Sequence, residues 1–180
     1  MNYLGIDIGG TAIKYGGVNF GEAITTSDFD MMLIPQTQRT EKYTSAVLSL
    51  LKSADKYKAV GIGFPSVVWE DGILDLDIKF NDIWNAASTL LHKTKIPIFA
   101  INDADAAGFA ELYNPGASDL RKGVTVVLTL GTGIGSAIFL DGELIPNTEF
   151  GMIQIHGVPA EQYAAASIKR RDGLAMQEWA

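Results

Sequence analysis

One sequence pattern occurs twice in this chain: a short apolar strand, a glycine-rich turn and a second short strand. The first copy pairs residues 3–8 with 12–18 around a Gly-Gly-Thr turn, and the second pairs 124–130 with 136–140 around Gly-Thr-Gly. Glycines in a tight turn let backbone N–H groups approach an anion without a Cβ in the way. The duplication therefore predicts two related lobes, each opened by a hairpin whose turn can hold a phosphate.

The remainder of the first half predicts an α/β lobe. The expected elements are a strand at 31–35, a helix at 41–54, a strand at 59–64, a helix at 82–93, a strand at 96–101 and a helix at 103–111. That order predicts a mixed sheet with helices packed on it. A turn-rich, polar segment at 114–122 then predicts the lobe boundary, with residues 1–115 in the first lobe and 116–180 in the second.

The second lobe is expected to be incomplete. Its opening strands are followed by a short strand at 143–146 and a helix at 160–170, but the helix–strand units that close the first lobe have no counterpart. A sheet in that state exposes an apolar face and an unpaired edge. We therefore expect a fragment of a longer protein, or a chain that a partner chain completes.

Composition argues against several classes of function. A formal net charge of −7 provides no basic excess for binding a nucleic-acid backbone. The chain has no cysteine, which excludes thiolate catalysis and Cys-ligated zinc and is compatible with a reducing cytosol. The sequence has neither a signal-peptide pattern nor an apolar run of membrane-spanning length. We expect a cytoplasmic protein that binds neither nucleic acid nor membrane.

The first glycine-rich turn carries side chains suited to phosphate chemistry. Thr11 offers a hydroxyl donor and Lys14 a positive charge, beside the accessible backbone of Gly9 and Gly10. Asp7, at the end of the preceding strand, suits an Mg²⁺ ion held through water. A plain hairpin turn would accept the same residues, so this loop alone leaves both interpretations open.

The second turn repeats this chemistry with Thr132, Gly133 and Gly135. One glycine-rich loop of this kind is common. Two loops, in two lobes that can face each other, predict a cleft that grips a phosphate chain from both sides. The residues after Gly135 are typical of a strand rather than a helix, which argues against a dinucleotide-binding Rossmann motif.

A third motif lies where the apolar strand at 96–101 meets an alanine-rich helix. A carboxylate at that junction, Asp103, can accept a proton from an attacking hydroxyl, and Asn102 can exchange hydrogen bonds with sugar hydroxyls. The alternative is an N-cap or first-turn role, which is the better interpretation for Asp105. For Asp103 we favour the functional interpretation.

Taken together, these residues resemble the ROK family of sugar kinases. The resemblance rests on DIGGTAIK, GIGFPSVV, NDADAAG, TLGTGIGSAIFLDGELIPNTE and AEQYAAASIKRRDGLAMQEWA, and runs from about Tyr3 to Ala180. PNTE and the helix ending in EWA are similar to the polyphosphate glucokinase branch. The resemblance implies an α/β, actin/hexokinase-like (ribonuclease H-like) fold of two lobes. It also implies phosphoryl transfer from polyphosphate or ATP to the 6-hydroxyl of glucose, with Mg²⁺ and without zinc, and it suggests a homodimer.

The same resemblance implies roles for individual residues. Asp103 falls on the catalytic base and Asn102 on a sugar ligand. The other expected sugar ligands are Pro65, Asn81, Trp84, Glu149 and Met152. The expected phosphate ligands are Gly9, Gly10, Thr11, Lys14, Thr132, Gly133 and Gly135. Asn81 and Trp84 would lie in a loop over the sugar, and Asp7 would hold the metal through water.

The chain departs from the family pattern at Met152. The family's Glu-x-Gly-His reads Glu-Phe-Gly-Met from Glu149 onward, so a thioether replaces a hydrogen-bond donor to the sugar. One lost donor costs roughly 1–3 kcal/mol, on the order of a 10- to 100-fold loss in kcat/KM. We expect weakened rather than abolished catalysis. His156 is out of register with the motif, and we expect it to be a surface residue.

Two interpretations stay open at the sequence level. Lys169, Arg170 and Arg171 form a basic cluster that suits either a polyphosphate track or, more economically, the C-terminal end of a helix. The protein itself could instead be a catalytically weak or inactive sugar-binding or regulatory ROK protein, or a gene fragment. Met152 and the incomplete second lobe favour that alternative. ROK regulators usually carry an N-terminal winged helix, whereas this chain begins at the phosphate hairpin.

Overall fold

The computed structural model describes residues 2–10, 12–20, 24–33, 39–69, 72–74 and 79–179. Its strands are β1 (Asn2–Ile8), β2 (Ala12–Phe20), β3 (Ile24–Leu33), β4 (Val60–Phe64), β5 (Val67–Trp69), β6 (Gly72–Leu74), β7 (Ile98–Asn102), β8 (Val124–Leu130), β9 (Ile134–Leu140), β10 (Glu143–Ile145), β11 (Gln154–Ile155) and β12 (Val158–Pro159). Its helices are α1 (Arg39–Leu51), α2 (Lys79–Thr94), α3 (Asp103–Leu112), α4 (Glu161–Ala164), α5 (Ala166–Asp172) and α6 (Met176–Trp179). Within these ranges no helix is long and apolar enough to cross a membrane. The chain divides into two compact units, unit 1 (Met1–Asp103) and unit 2 (Ala104–Ala180).

Unit 1 is built on a five-stranded mixed sheet in the order β3–β2–β1–β4–β7. Strands β1, β4 and β7 run parallel, while β2 and β3 extend the sheet in antiparallel fashion. Leu4, Ile6 and Ile8 alternate along β1 and are buried in one core with side chains of α1 and α2. Burial of each such side chain contributes about 1.5–3 kcal/mol. This core therefore holds the parallel strands, and with them the strand ends, in a fixed arrangement.

The predicted elements of unit 1 are present, with different ends. The third strand is longer than predicted, because β3 stays paired with β2 on both sides of an irregularity between Tyr15 and Gly17. The helix predicted at 41–54 ends at Leu51 and is followed by a 3₁₀ turn at Ala54–Lys56. The short hairpin of β5 and β6 was not predicted, since each of its strands has only three residues.

Unit 2 contains a three-stranded antiparallel sheet in the order β10–β9–β8, with helix α3 packed against it. Leu112 of α3 shares a buried cluster with Ala137 and Phe139 of β9, and Phe109 meets Phe139 edge to face at 5.2 Å. A Cβ built on Gly108 would lie 2.7 Å from the Cβ of Ala137 and 2.7 Å from the ring of Phe139. Glycine at this position lets the helix approach the strand closely.

Because α3 packs within unit 2, the division between the units falls between Asp103 and Ala104. The turn-rich composition predicted a lobe boundary between 115 and 116, on the far side of this helix. Turn residues indicate where the chain changes direction, whereas compact units follow the packing of side chains. An alanine-rich helix is compatible with either neighbour, so its sequence does not decide between them.

The helix predicted at 160–170 is two helices. α4 ends at Ala164 and α5 begins at Ala166, because Ala165 between them has an extended backbone with φ −64° and ψ 148°. The side chain of Ala165 is buried. Alanine is the strongest helix former, so a run of alanines cannot signal this break.

Strand β8 lies at the edge of its sheet, where β9 is its only partner in the described part of the chain. Val124, Val126, Leu128 and Leu130 alternate along it and are 47–69% exposed. The strand thus presents an apolar face and an unpaired edge, which are the two features that the sequence analysis expected of the second lobe.

Candidate functional site

The carboxyl ends of the parallel strands bring distant parts of unit 1 together. Asp7 lies opposite Gly63 in the pairing of β1 with β4, and Asn102 at the end of β7 lies opposite Phe64. A Cβ built on Gly63 would lie 3.8 Å from Oδ1 of Asp7 and 3.7 Å from Cα of Asp103. Two acidic residues therefore flank Gly63 at the edge of the sheet where open α/β folds bind their ligands.

The side chain of Asn102 organises the turn that follows β4. It is only 3% exposed, and its amide donates a hydrogen bond of 3.1 Å to the backbone oxygen of Ser66. This bond ties the exposed turn at Pro65 to the strand end from which Asp103 begins helix α3. The role of Asn102 as a sugar ligand stays a prediction. Its positioning of the turn is a contact that the sequence analysis did not predict.

The first glycine-rich turn is closed by its own backbone. The N–H of Gly9 donates to the oxygen of Ala12 at 2.9 Å, and the Tyr43 hydroxyl of α1 donates to the oxygen of Gly9 at 2.6 Å. Gly10 is exposed, with open space where a Cβ would stand. Thr11, the other predicted ligand here, lies outside the described residues. The N–H of Gly9 is thus already hydrogen-bonded within the turn, whereas Gly10 is exposed to solvent.

Lys14 and Asp7 form an ion pair across β1 and β2. They lie opposite each other in the strand register, and Nζ of Lys14 is 3.2 Å from Oδ2 of Asp7. Both side chains are about half exposed, and pairs of this kind contribute only about 0–1 kcal/mol. The pair can therefore open at little cost when Lys14 meets an anion. Lys14, the predicted phosphate ligand, and Asp7, the predicted metal ligand, are thus neighbours.

Asn81 and Trp84 lie in the first turns of helix α2. The family resemblance implied a loop for both residues, whereas the sequence pattern predicted a helix from residue 82, which already included Trp84. The half-buried ring of Trp84 packs edge to face on Phe64, with 6.4 Å between ring centroids. The helix begins at Lys79 rather than at residue 82, and this earlier start places Asn81 on the helix as well. Their roles as sugar ligands stay predictions.

The second glycine-rich turn lies between β8 and β9 and is held by the start of α5. The N–H of Gly131 donates to the oxygen of Gly133 at 3.0 Å, which closes the turn. Ser167 donates its N–H to the oxygen of Gly131 at 3.0 Å and its hydroxyl to the oxygen of Thr132 at 2.6 Å. The exposed Thr132 lies at the tip. Two carbonyl groups of the turn, those of Gly131 and Thr132, are thus anchored by one residue.

Glu161 in the first turn of α4 faces the same loop. Its Oε2 accepts the N–H of Ile134 at 3.3 Å, and a Cβ built on Gly133 would collide with its carboxylate. Gly135 is confined by packing instead, because a Cβ there would lie 2.5 Å from Oγ1 of Thr129. Packing within unit 2 therefore requires glycine at positions 133 and 135, whether or not these residues also bind phosphate.

A buried serine holds the segment that carries Glu149. Ser136 on β9 is fully buried, and its hydroxyl donates to the oxygen of Thr148 at 2.8 Å and accepts the N–H of Phe150 at 3.0 Å. Glu149 itself is exposed at the start of a 3₁₀ turn, Phe150–Met152. None of the sequence motifs indicates Ser136 as a functional residue. Its position among apolar residues of a buried strand is the only signal that could have indicated it.

Asp105 on α3 holds the same segment from the helix side. Its Oδ2 accepts the N–H of Asn147, 42 positions away, at 2.9 Å. The residue is 1% exposed, and burial raises the pKa of its carboxyl group, while the hydrogen bond from Asn147 acts in the opposite direction. The sequence by itself favours a local role for Asp105 at the start of the helix. The structure adds a tertiary contact that positions the segment before Glu149.

The raised pKa of Asp105 predicts a pH-dependent stability. Because the folded protein binds this proton more tightly than the unfolded chain, the charged carboxylate costs stability as pH rises through the folded pKa, and the cost is absent below about pH 4. Asp105→Asn keeps an acceptor for Asn147 and carries no charge. We expect it to raise the free energy of unfolding at pH 7, on the order of 1 kcal/mol. Urea unfolding of both proteins at pH 7 and pH 3.5 tests this.

The difference between Asp105→Asn and the parent should vanish at the lower pH, where both side chains are neutral. Asp105→Ala is the matched control, because it removes the acceptor as well as the charge. It should be less stable than Asp105→Asn at both pH values. An equal difference between Asp105→Asn and the parent at the two pH values would contradict the assigned cause.

Met152 ends the 3₁₀ turn that follows Glu149. Its N–H donates to the oxygen of Glu149 at 3.1 Å, and its side chain is 53% exposed. Gly151 before it is buried, and a Cβ there would collide with the carbonyl oxygen of Ile134. His156 lies exposed in the turn between β11 and β12, with φ 52°.

The basic cluster occupies the last turn of α5. Gly173 ends this helix in a left-handed conformation with φ 66°. Arg171 binds Asp172 at 2.6 Å, and this hydrogen bond lowers the pKa of Asp172. Positive charge at the end of a helix is favourable by itself. A polyphosphate track through Lys169 and Arg170 stays a prediction.

Within the described ranges, no three His, Asp or Glu side chains are grouped so that they could hold a metal ion. Mg²⁺ usually keeps several waters and is bound through one or two carboxylates together with substrate phosphates. The half-exposed Asp7 at its strand end fits that mode, in which the phosphates of a donor supply the other ligands.

Known proteins are similar to this chain in sequence over most of its length. The signature of the ROK family matches residues 3–157. The chain is 36% identical to the polyphosphate glucokinase of Mycobacterium leprae, over 98% of this chain and 55% of that protein. It is 35% identical to the polyphosphate glucokinase of Mycobacterium tuberculosis, over 98% of this chain and 67% of that protein. The chain thus spans 55–67% of the length of these relatives.

A solved structure has the same fold. The inorganic polyphosphate/ATP-glucomannokinase from Arthrobacter sp. strain KM superposes with a TM-score of 0.78 and is 35% identical. The match covers 99% of this chain and 74% of that one. It confirms the prediction of an α/β, actin/hexokinase-like fold. Together with the family signature over most of the sequence, these likenesses establish that the chain belongs to the ROK family.

Proposed function

We propose that this protein transfers a phosphoryl group from polyphosphate or ATP to the 6-hydroxyl of glucose, which gives glucose 6-phosphate. The observation that carries the proposal is the proximity of Asp7 and Asp103 on either side of Gly63, at the carboxyl ends of parallel strands. Phosphoryl transfer requires a group that receives the proton of the attacking hydroxyl and charges that position the phosphates. Asp103 offers the first, and the Asp7–Lys14 pair offers the second.

Asp103, Lys14 and the sugar-binding residues have different parts in this reaction. Asp103 accepts the proton of the 6-hydroxyl as that oxygen bonds to the terminal phosphorus, and the bridging P–O bond of the donor breaks. Lys14 leaves its pair with Asp7 and binds phosphate oxygens together with the backbone of the glycine-rich turns. Mg²⁺ held near Asp7 would neutralise phosphate charge. Asn102, Glu149 and the start of α2 would bind the sugar.

The relatives support the donor and the acceptor. Two are polyphosphate glucokinases, and the solved one is an inorganic polyphosphate/ATP-glucomannokinase, so each name joins a polyphosphate donor with a hexose. The PNTE segment and the helix ending in EWA resemble the polyphosphate branch, which supports polyphosphate as the donor. A cytoplasmic location belongs to the same proposal, and the absence of cysteine from the sequence is compatible with it.

The proposal is tested by incubating the full chain with glucose, Mg²⁺ and either polyphosphate or ATP. Glucose 6-phosphate is measured with a coupled dehydrogenase, and a reaction without glucose controls for hydrolysis. We expect glucose-dependent product and a kcat/KM for polyphosphate at least equal to that for ATP. Turnover with ATP alone would contradict the polyphosphate assignment. Absence of product with both donors would contradict catalysis by this chain.

A second candidate function is sugar binding without turnover. The observation that favours it is Met152, which stands where the family's motif has a histidine and which is 53% exposed. A thioether cannot donate a hydrogen bond to a sugar hydroxyl. Calorimetry distinguishes the two functions, because glucose binding without product with either donor would support this one.

Met152→His should restore the missing donor. We expect tighter glucose binding and a kcat/KM for glucose that is raised about tenfold, because one recovered hydrogen bond is worth roughly 1–3 kcal/mol. The KM of the phosphate donor should stay nearly unchanged, since neither glycine-rich turn is altered. Steady-state kinetics with both substrates varied measure these parameters.

Met176→His is the matched control, because Met176 is 61% exposed on helix α6. It introduces the same side chain at a surface position outside the motif, and it should leave the kinetics unchanged. If Met152→His leaves kcat/KM for glucose unchanged or lowers it, the pocket is built around methionine, and a different sugar becomes the better assignment.

A further inference from the structure

Helix α3 covers one face of the sheet in unit 2. Val127, Phe139 and Leu144, one from each of the three strands, pack on that side in a cluster with Leu112 of the helix. Successive side chains of a strand point to opposite faces, so the neighbours of these residues lie on the other side of the sheet. We call that side the open face, and its exposed apolar side chains are those of Val124, Val126, Leu128, Leu130, Leu140 and Ile145.

The open face is continuous across the three strands. Val124 lies opposite Leu140 in the pairing of β8 with β9. Val126 lies opposite Ile138, which in turn lies opposite Ile145 of β10. Directly opposed residues project on the same side of a sheet and contact each other. The six side chains are each 46–69% exposed, and they therefore form one apolar patch rather than scattered surface residues.

Charge is nearly absent from this sheet. Among the residues of β8, β9 and β10, Glu143 alone is charged, and it lies opposite Leu140 at one end of the open face. Edge strands that must stay single usually carry charged side chains, and β8 carries none. An apolar centre with its charge at the margin is the usual composition of a protein interface.

A second copy of this chain fits the open face better than a nucleic acid or a membrane surface. The net charge of −7 repels the anionic surfaces of both. An apolar face is complementary to itself, so a two-fold axis can bring two identical faces together. The six half-exposed side chains leave roughly 500 Å² of surface on each copy, and two copies would bury about 1,000 Å², which is the lower limit for a specific interface.

We propose that two copies of this chain pack through their open faces about a two-fold axis, so that the sheets of the two copies of unit 2 form a sandwich. Side chains of sheets packed in this way interdigitate across about 10 Å. Because the buried area is at the lower limit, the dimer is reversible, with a Kd on the order of 10 µM. None of the six residues of the open face is assigned to phosphoryl transfer.

Sedimentation velocity of the full chain, from a tenth of the expected Kd to ten times above it, measures the association. We expect a monomer that converts to a dimer as the concentration rises. Added salt should tighten the dimer, because both copies carry net negative charge and salt screens their repulsion. A basic partner on the same face would instead be bound less tightly in salt.

Leu128→Lys tests the face itself. Leu128 is 54% exposed in the single chain, which can therefore keep a lysine in contact with water. In the dimer the ammonium group would be buried without a partner, and we expect the Kd to rise at least about tenfold. Net repulsion cannot cause that loss, because the substitution makes each copy less negative. Leu140→Lys, on the neighbouring strand, should have the same effect.

Leu33→Lys is the matched control, because Leu33 is 70% exposed on β3 of unit 1. It makes the same substitution outside the open face and should leave the Kd unchanged. Methyl resonances of Leu128 and Leu140 should shift with protein concentration, whereas those of Leu33 should not. Slow amide exchange at Phe139 in every variant would show that the sheet of unit 2 remains folded.

Three results would overturn the proposal. The first is a chain that stays monomeric up to ten times the expected Kd. The second is a dimer that Leu128→Lys and Leu140→Lys weaken no more than Leu33→Lys does, since the contact would then lie elsewhere. The third is an open series of larger species, because a two-fold contact closes at two copies.

Discussion

Asp103→Asn is expected to lower kcat for glucose phosphorylation by about 10²- to 10⁴-fold, the range that a general base contributes. Asparagine matches aspartate in size and can still exchange hydrogen bonds, but it cannot take up the proton of the 6-hydroxyl. The affinity for glucose should therefore change less than about threefold, well below the expected loss in kcat. Coupled assays and glucose calorimetry on the full chain measure the two quantities separately.

Asp119→Asn is the control for the chemical change itself. The side chain of Asp119 is 96% exposed and makes a loose contact with Lys122 at 3.9 Å, so its substitution should leave kcat unchanged. If Asp103→Asn keeps more than a tenth of the parent's kcat, Asp103 is not the base. If it loses glucose binding to the same extent as activity, its role is in binding the sugar.

Much of unit 1 could be predicted from the sequence, because its signals are local. Apolar runs alternate with amphipathic helices, and parallel strands place their carboxyl ends at one edge. A motif that ends each strand must then lie near the others, as Asp7 and Asp103 do around Gly63. The ion pair between Asp7 and Lys14 could also have been derived, because both residues stand equally far from the centre of a short hairpin turn.

The contacts that shape unit 2 could not be predicted, because they join residues that are distant in sequence and whose meeting depends on packing. Asp105 binds Asn147 only because α3 approaches β9 through Gly108. Ser167 meets the second turn only because the helix breaks at Ala165. In both cases a local interpretation already accounts for the sequence: a helix start for Asp105, and one alanine-rich helix for the segment around Ala165. The sequence therefore gives no reason to expect the tertiary contact.

The family motif itself shows how a glycine can be misjudged from sequence. If Glu-x-Gly-His is considered only as a sugar-binding motif, Glu149 and Met152 are its functional positions and the glycine between them is a spacer. In the structure, Gly151 is buried where the 3₁₀ turn lies directly against the carbonyl group of Ile134. The N–H of Ile134 is bound by Glu161. Ile134 therefore contacts both the predicted sugar segment, through its carbonyl group, and the helix that holds the second glycine-rich loop, through its N–H.

Gly151→Ala should therefore be among the most damaging single substitutions in unit 2. Its Cβ would collide with a backbone oxygen, which cannot turn aside as a flexible side chain can. Overpacking typically costs 1–3 kcal/mol, and we expect a loss of about 3 kcal/mol in the free energy of unfolding. Urea unfolding measures that loss, and faster amide exchange at Ile134 would place the disturbance at the predicted contact.

Gly61→Ala is the matched control, because a Cβ on Gly61 meets no atom within 4 Å. It makes the same substitution within strand β4 and should change stability by less than about 0.5 kcal/mol. A Gly151→Ala protein as stable as the Gly61→Ala protein would show that the turn can move away from β9 at little cost. The segment carrying Glu149 would then be adjustable rather than fixed, and its position in this structure could not by itself determine how a sugar is bound.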